Sequence, residues 1–247
     1  MIIAEIGLNH KGSYDLANYY VDQLIKTDVD AITFQIREQG FYKGKFKGYE
    51  LSAQQYKNLK SKIRKAGKLF GLATSNITEY DKVESDFIKV LSKDIEDLNF
   101  IDQIIDRTTK QGIFLSTGMS NFKTVQTTLD FCKDKGKRNI KLIHTRLSNS
   151  TGDVNLKAIQ EMKNRFGNIV AFGNHCRNPN VLFTSVAYEP TDYYFYVKDK
   201  KTNNHPDDLH AIYLDEVQGF CNNIKDLTFA LGTGSKENTN NKIEGQI

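Results

Sequence analysis

The chain has 247 residues, 39% apolar and 26% charged, with three Pro, three Cys and no Trp, a composition that excludes collagen-like, coiled-coil and disordered classes. Thirty-four Lys and Arg face thirty Asp and Glu for a formal charge of +4, and the two signs are interleaved, so no basic block marks a nucleic-acid partner. No apolar run is long enough to span a bilayer, and the opening Met1-Ile-Ile-Ala-Glu5 lacks the basic region of a signal peptide; a cytoplasmic protein with no membrane partner is expected. Cys132, Cys176 and Cys221 are odd in number and far apart, which predicts free thiols and neither a disulfide framework nor a structural zinc site.

Short apolar runs recur along the chain, each followed by a turn and a segment of helical spacing. Ile2 to Gly7 predicts a strand, and Tyr14 to Lys26 a helix with Ser13 as its cap and Leu16, Tyr19, Tyr20, Leu24 and Ile25 as an apolar stripe. Asp30 to Gln35 is the second strand; Ser52 to Ala66 is its helix, with Ser52 and Gln55 at capping-box spacing and Gly67 closing it. Leu69 to Ala73 with Glu79 to Glu84, Phe87 to Leu91 with Leu98 to Thr109, and Ile113 to Leu115 with Asn121 to Lys135 repeat the pattern. So do Ile140 to His144 with Asn155 to Phe166, Ile169 to Phe172 with Asn180 to Tyr188, and Tyr193 to Val197 with Leu214 to Leu231.

Eight strand and helix units over about 230 residues describe a (β/α)8 TIM barrel occupying residues 1–231. The competing architecture, an open doubly wound sheet, calls for a G-x-G-x-x-G turn after the first strand. Here that segment reads Gly7-Leu-Asn-His-Lys-Gly12, with polar side chains where a dinucleotide fold needs bare backbone. Residues 232–247, with Gly-Thr-Gly-Ser-Lys-Glu-Asn-Thr-Asn-Asn, have the composition of a flexible C-terminal tail.

A TIM barrel assembles its site at the C-terminal ends of the strands. Those ends carry Glu5, Asn9 and His10; Gln35 and Arg37; Thr74 and Ser75; Lys89 and Ser92; Ser116 and Thr117; His144 and Arg146; Asn174 and His175. Any one of them could be a solvated turn residue, but their recurrence at seven strands points to a site. Glu5 stands out because a carboxylate inside Ile-Ile-Ala-Glu-Ile-Gly points into the barrel, where an unpaired charge is costly. Lys89 and Gln35 invite the same reasoning. The aromatic and basic stretch Phe41 to Lys47 could stack on bases, but a solvated loop after the second strand is the simpler reading.

Ile-Ile-Ala-Glu-Ile-Gly-Leu-Asn-His-Lys-Gly at 2–12 resembles the opening signature of the sialic acid synthase family. Asp30-Ala-Ile-Thr-Phe-Gln35, Phe87-Ile-Lys-Val-Leu-Ser92 and Leu115-Ser-Thr-Gly-Met-Ser120 resemble that family's second, fourth and fifth strands. Ile140 to His144, Asp153 to Leu156 with Ala158 and Ile159, Phe172-Gly-Asn-His175 and Asp208-Leu-His-Ala211 match in order up to about residue 235. The resemblance implies condensation of phosphoenolpyruvate with an N-acylated hexosamine to a 2-keto-3-deoxy sugar acid, with release of phosphate, in surface-polysaccharide biosynthesis.

It also implies roles. Glu5, Asn9, His10 and Gln35 would face the sugar and the reaction centre. Lys89, Ser92, Ser116, Thr117, Thr74, Ser75, His144 and Asn174 would bind substrate. His175 would hold a divalent ion, manganese or magnesium, and partners would be the two small molecules and a second copy in a homodimer.

The chain departs from the family at several points. The lysine before Phe-Gln on the second strand is Thr33, a Tyr-Pro pair after the sixth strand reads Ser150-Thr151, and the eighth strand lacks its metal histidine. Phe195 cannot replace that histidine, so His205 or His210 would have to be recruited. The C-terminal antifreeze-like domain usual in the family is expected to be absent. Two readings stay open: a divergent synthase, and a barrel that has lost condensation and binds a sugar or sugar phosphate or performs other carbohydrate chemistry.

Overall fold

In the computed structural model, which describes residues 1–108 and 112–236, eight parallel strands close into a barrel with helices between them. In chain order these are β1 (Ile2–Gly7), α1 (Tyr14–Leu24), β2 (Ala31–Ile36), α2 (Ala53–Lys65), β3 (Leu69–Thr74), α3 (Ile77–Val83), β4 (Phe87–Val90) and α4 (Leu98–Arg107). Then follow β5 (Gly112–Ser116), α5 (Phe122–Asp134), β6 (Ile140–His144), α6 (Lys157–Phe166), β7 (Val170–Gly173), α7 (Asn180–Ser185), β8 (Tyr193–Lys198), β9 (Ile212–Tyr213) and α8 (Val217–Ala230). Each strand pairs with its successor, and β1 pairs with β8, Glu5 lying opposite Tyr196. The TIM barrel read from the sequence is therefore the fold.

The alternation of each strand sorts its side chains. Ile2, Ala4 and Ile6 of β1, Ile32, Phe34 and Ile36 of β2, and Phe70 and Leu72 of β3 point outward into the layer packed under the helices. Ile3, Ala31, Phe87, Phe114, Ile143, Ala171 and Tyr194 point inward and form a separate cluster. Within it Phe87, Phe114 and Tyr194 make two edge-on contacts at 5.3 and 5.4 Å, an aromatic floor across the lumen. Gly71 leaves the room this floor needs: an added methyl would stand 2.6 Å from Thr33 Cγ2 and closer still to the Phe87 ring.

Local signals explain most helix starts. Ser52 caps α2 in a full capping box with Gln55, and Ser13 caps α1. Helix α3 begins at Ile77, two residues before the sequence reading, because Asn76 caps it through Glu79 N–H. Strand β9, not expected from the sequence, extends β8 beyond the rim through Val197 and Ile212 and anchors the loop that precedes it. The expected end of α4 at Thr109 and the tail from residue 237 onward lie outside the described residues. The three cysteines are free and buried, as expected.

Candidate functional site

A cavity of about 290 Å³ opens at the C-terminal end of the strands, above the aromatic floor. Of the residues singled out from the sequence, Gln35, Lys89, Ser92, Ser116, Asn174 and His175 line it. Glu5 lies fully buried beside it and forms an ion pair with Lys89 across the lumen, from β1 to β4. Lys89 is itself only 6% exposed, its Nζ 5.1 Å from the Tyr194 ring and 5.5 Å from the Tyr196 ring. The pair answers the demand that a buried carboxylate find a partner, yet Glu5 Oε1 still has no hydrogen bond.

Other polar atoms nearby are also buried without a partner: Ser116 Oγ, Thr145 Oγ1, Tyr194 hydroxyl and, one strand away, Thr33 Oγ1. Buried polar groups are nearly always satisfied, so this concentration at one end of a barrel is the signature of a chamber that receives a polar molecule or ordered water. Ser92 Oγ accepts from Gly118 N–H at 3.1 Å, which fixes the β5 loop against the β4 loop.

The other wall is acidic and imidazole-rich. His175 and His210 stack with ring centroids 4.7 Å apart, and Tyr196 meets both edge-on at 5.2 and 4.8 Å. Burial drives the His210 pKa down to about 4, with Lys89 and Lys198 adding to the effect, and holds His175 well below its ordinary value, helped by His210 and Lys89. Both rings are therefore neutral near pH 7. Asp207, 3.7 Å from His210 Nε2, is raised to about 7 by burial first and by the Glu5 charge second. The side chain that β8 presents beside His175 is Tyr196; Phe195 faces the opposite way, against Phe220.

As donors for a divalent ion, His175 and His210 have suitable chemistry: two neutral imidazoles, His210 Nε2 buried and unbonded, and a carboxylate at hand. They fit manganese better than magnesium, which prefers oxygen ligands. Among the described residues no three His, Cys, Asp or Glu side chains converge on one point.

The remaining expected site residues lie elsewhere. His10 is fully buried outside the lumen, its ring 5.9 Å from that of Phe34, its Nδ1 accepting from Gly12 N–H at 3.0 Å; burial takes its pKa to about 3. The cause is local: the β1 ladder is irregular between Glu5 and Gly7, Gly7 has φ 56°, and Leu8 to Lys11 coil back in turns. Asn9 does not face the lumen either. It donates to Val197 O at 2.8 Å and accepts from Asp207 N–H at 3.1 Å, so it sets the loop that delivers Asp207.

Thr74 and Thr117 point to the helix side, Thr74 Oγ1 accepting from Asn76 N–H and Thr117 Oγ1 donating to Ile143 O. His144 stacks on Phe172 and its Nε2 lies 3.0 Å from Val154 O, in a separate pocket with Thr117 and Arg146. Ser75 donates to Asp94 Oδ2 at 2.6 Å, just outside the chamber. His205, the other histidine weighed for a metal, is buried with Tyr20, Asp199 and Thr202 away from His175. The sequence reading missed Asp207, Tyr196 and Thr145; the Pro206-Asp207 step in the loop after the last strand was the available signal for the first.

A closed barrel with a polar chamber at the carboxyl ends of its strands, a buried Glu and Lys pair and a neutral imidazole pair has the layout of a barrel site for a small polar ligand. The NeuB family model matches residues 15–236, and the chain belongs to the NeuB family. It is 30% identical over 248 residues to an uncharacterized protein of Methanocaldococcus jannaschii, covering 95% of this chain and 73% of that protein. It is 26% identical over 265 residues to an N,N'-diacetyllegionaminic acid synthase of Campylobacter jejuni, covering 96% of this chain and 79% of the relative. Among solved structures, the N-acetylneuraminic acid (sialic acid) synthetase of Leptospira borgpetersenii superposes with a TM-score of 0.89 at 23% identity, over 97% of this chain and 87% of that one. A phospho-2-dehydro-3-deoxyheptonate aldolase of Thermotoga maritima shares the fold with a TM-score of 0.77 at 12% identity, over 94% of this chain and 70% of that one. Among the described residues no helix is long and apolar enough to cross a membrane.

Proposed function

We propose that this chain condenses phosphoenolpyruvate with an N-acylated hexosamine or a related sugar, releasing phosphate and a 2-keto-3-deoxy sugar acid in surface-polysaccharide biosynthesis. The observation that carries the reading is the convergence of Lys89, Ser92, Ser116, Asn174 and Gln35 on one chamber, above the buried carboxylate of Glu5. A cation beside hydroxyl and amide donors is what an anionic substrate needs, and the synthase relatives supply the reaction class.

In the reaction, C3 of phosphoenolpyruvate bonds to the aldehyde carbon of the sugar, water adds at C2, and the C2 to oxygen bond breaks to release phosphate. Lys89 holds an anionic group of phosphoenolpyruvate, with Ser92 and Ser116 hydroxyls donating beside it. Glu5 orients Lys89 and, with Oε1 free, accepts a proton from the water that adds. Asp207, with a pKa raised to about 7, exchanges a proton with the sugar oxygen near neutral pH. Gln35 and Asn174 orient the sugar. A divalent ion, held by His175 and His210, would polarise the sugar carbonyl.

The test is phosphate release from phosphoenolpyruvate with a panel of mono- and di-N-acetylated hexosamines, with and without manganese. Turnover with at least one acceptor, abolished by Glu5→Gln and by His175→Ala, is the expected result. No release with any acceptor would leave the second reading, a barrel that binds sugar or sugar phosphate without condensing it; Thr33, in place of the family's lysine, is the residue that favours it.

A further inference from the structure

Above the inward-facing Ala31, the lumen face of β2 carries Thr33, Gln35 and, just past the strand, Arg37. Arg37 lines the lip of the chamber with Ser92 and Lys93, so a pair of cations stands above the buried Lys89. These two share one carboxylate: Glu38 lies 3.1 Å from Arg37 Nε and 3.5 Å from Lys93 Nζ. Asp94 also contacts Lys93 at 2.8 Å.

The guanidinium does not depend on Glu38 for its position. Its central carbon lies 4.0 Å from the Phe41 ring centroid, Phe41 stacks on Phe46 at 4.4 Å, and the Arg37 backbone N–H donates to the Tyr42 hydroxyl at 3.0 Å. Nε and Nη2 bond to Glu38. Nη1 has no acceptor among the described residues, and the Arg37 side chain is 17% exposed against 43% for Glu38. A packed, half-used guanidinium whose counter-ion is a more exposed surface carboxylate is built to exchange that carboxylate for another anion.

We propose that Arg37 and Lys93 form a second anion subsite at the lip of the chamber, separate from Lys89, which takes a phosphate monoester after Glu38 swings away. The inference rests on the condensation reading and deepens it: Thr33 leaves the deep part of β2 uncharged, and the cation that follows on the same face is Arg37, four residues on, at the rim. The phosphate could come from phosphoenolpyruvate or from a phosphorylated sugar, since both bring the same group to the same opening.

Binding of phosphoenolpyruvate and of the 6-phosphate of an N-acetylhexosamine, measured by titration calorimetry on the wild type and on Arg37→Gln, Arg37→Lys and Glu38→Gln, separates these cases. Arg37→Gln is expected to weaken one of the two ligands by roughly tenfold or more, and the ligand weakened identifies the source of the phosphate. Arg37→Lys should recover only part of the loss. Glu38→Gln should tighten the same ligand severalfold, a gain that a merely structural Arg37 and Glu38 pair would not give. Unchanged affinity for both ligands in Arg37→Gln and in Glu38→Gln overturns this inference and leaves the condensation reading standing if the wild type turns over. A wild type that binds neither ligand overturns both.

Discussion

Lys89 and Glu5 face each other across the lumen, both buried from solvent. A buried pair of this kind adds little stability relative to an apolar substitute, but breaking it leaves one charge without compensation. Glu5→Gln therefore keeps the shape and strands the Lys89 ammonium, and is expected to lower unfolding free energy by about 3 kcal/mol in urea titrations. Combining Glu5→Gln with Lys89→Met should recover much of that loss. Full stability in the single variant would mean that water screens the pair. Relieved of Glu5, Asp207 should also lose its proton more readily, because the Glu5 charge is the second cause of its raised value.

At the scale of the element, strand parity explains what the sequence revealed and what it hid. Residues inside a strand were legible: Glu5, Gln35, Lys89 and Ser116 alternate with outward-facing apolar neighbours, and all four reach the lumen or its wall. Position at a strand end was a weaker guide, because Thr74, Thr117 and His144 stand one residue out of phase and turn to the helices. Asn9 and His10 were lost to a different cause, the irregular ladder and the left-handed turn at Gly7 that end the alternation of β1. Asp207 depends on a contact 198 residues apart, Asn9 with its backbone N–H, which no local pattern carries. The capping box of α2, by contrast, depends on two residues three apart and was readable directly. The same packing argument gives a prediction on β3: Gly71→Ala forces its methyl against Thr33 and Phe87. It should cost roughly 1–3 kcal/mol by chemical denaturation, whereas Gly67→Ala, at a helix end with open space around it but φ 76°, should cost about 1 kcal/mol through backbone strain alone.

For the whole molecule, burial of ionisable groups ties stability to pH. His10 at about 3 and His210 at about 4 are depressed below the ordinary value of 6.5. The stability they confer is present above about 6.5 and is lost as pH falls through that value toward 4 and 3. Asp207, raised to about 7 from 3.8, acts in the opposite sense: its contribution is present below 3.8 and is lost as pH rises through 7. With His175 lowered as well, three imidazoles against one carboxyl predict a net loss of stability as pH falls from about 6.5 to about 4, read as a falling Tm in scanning calorimetry. Asp207→Asn removes the opposing group, so its Tm should fall more steeply with acid than that of the wild type; a parallel fall would mean that Asp207 keeps an ordinary carboxylate value.

The aromatic floor of Phe87, Phe114 and Tyr194 lies across the lumen beneath Lys89. On the condensation reading, the molecule held against Lys89 is expected to bind first and to leave last, an order that product-inhibition kinetics would reveal. Three packed rings would then set the order of events, with the lip residues around Arg37 at the opposite end of the chamber from the floor.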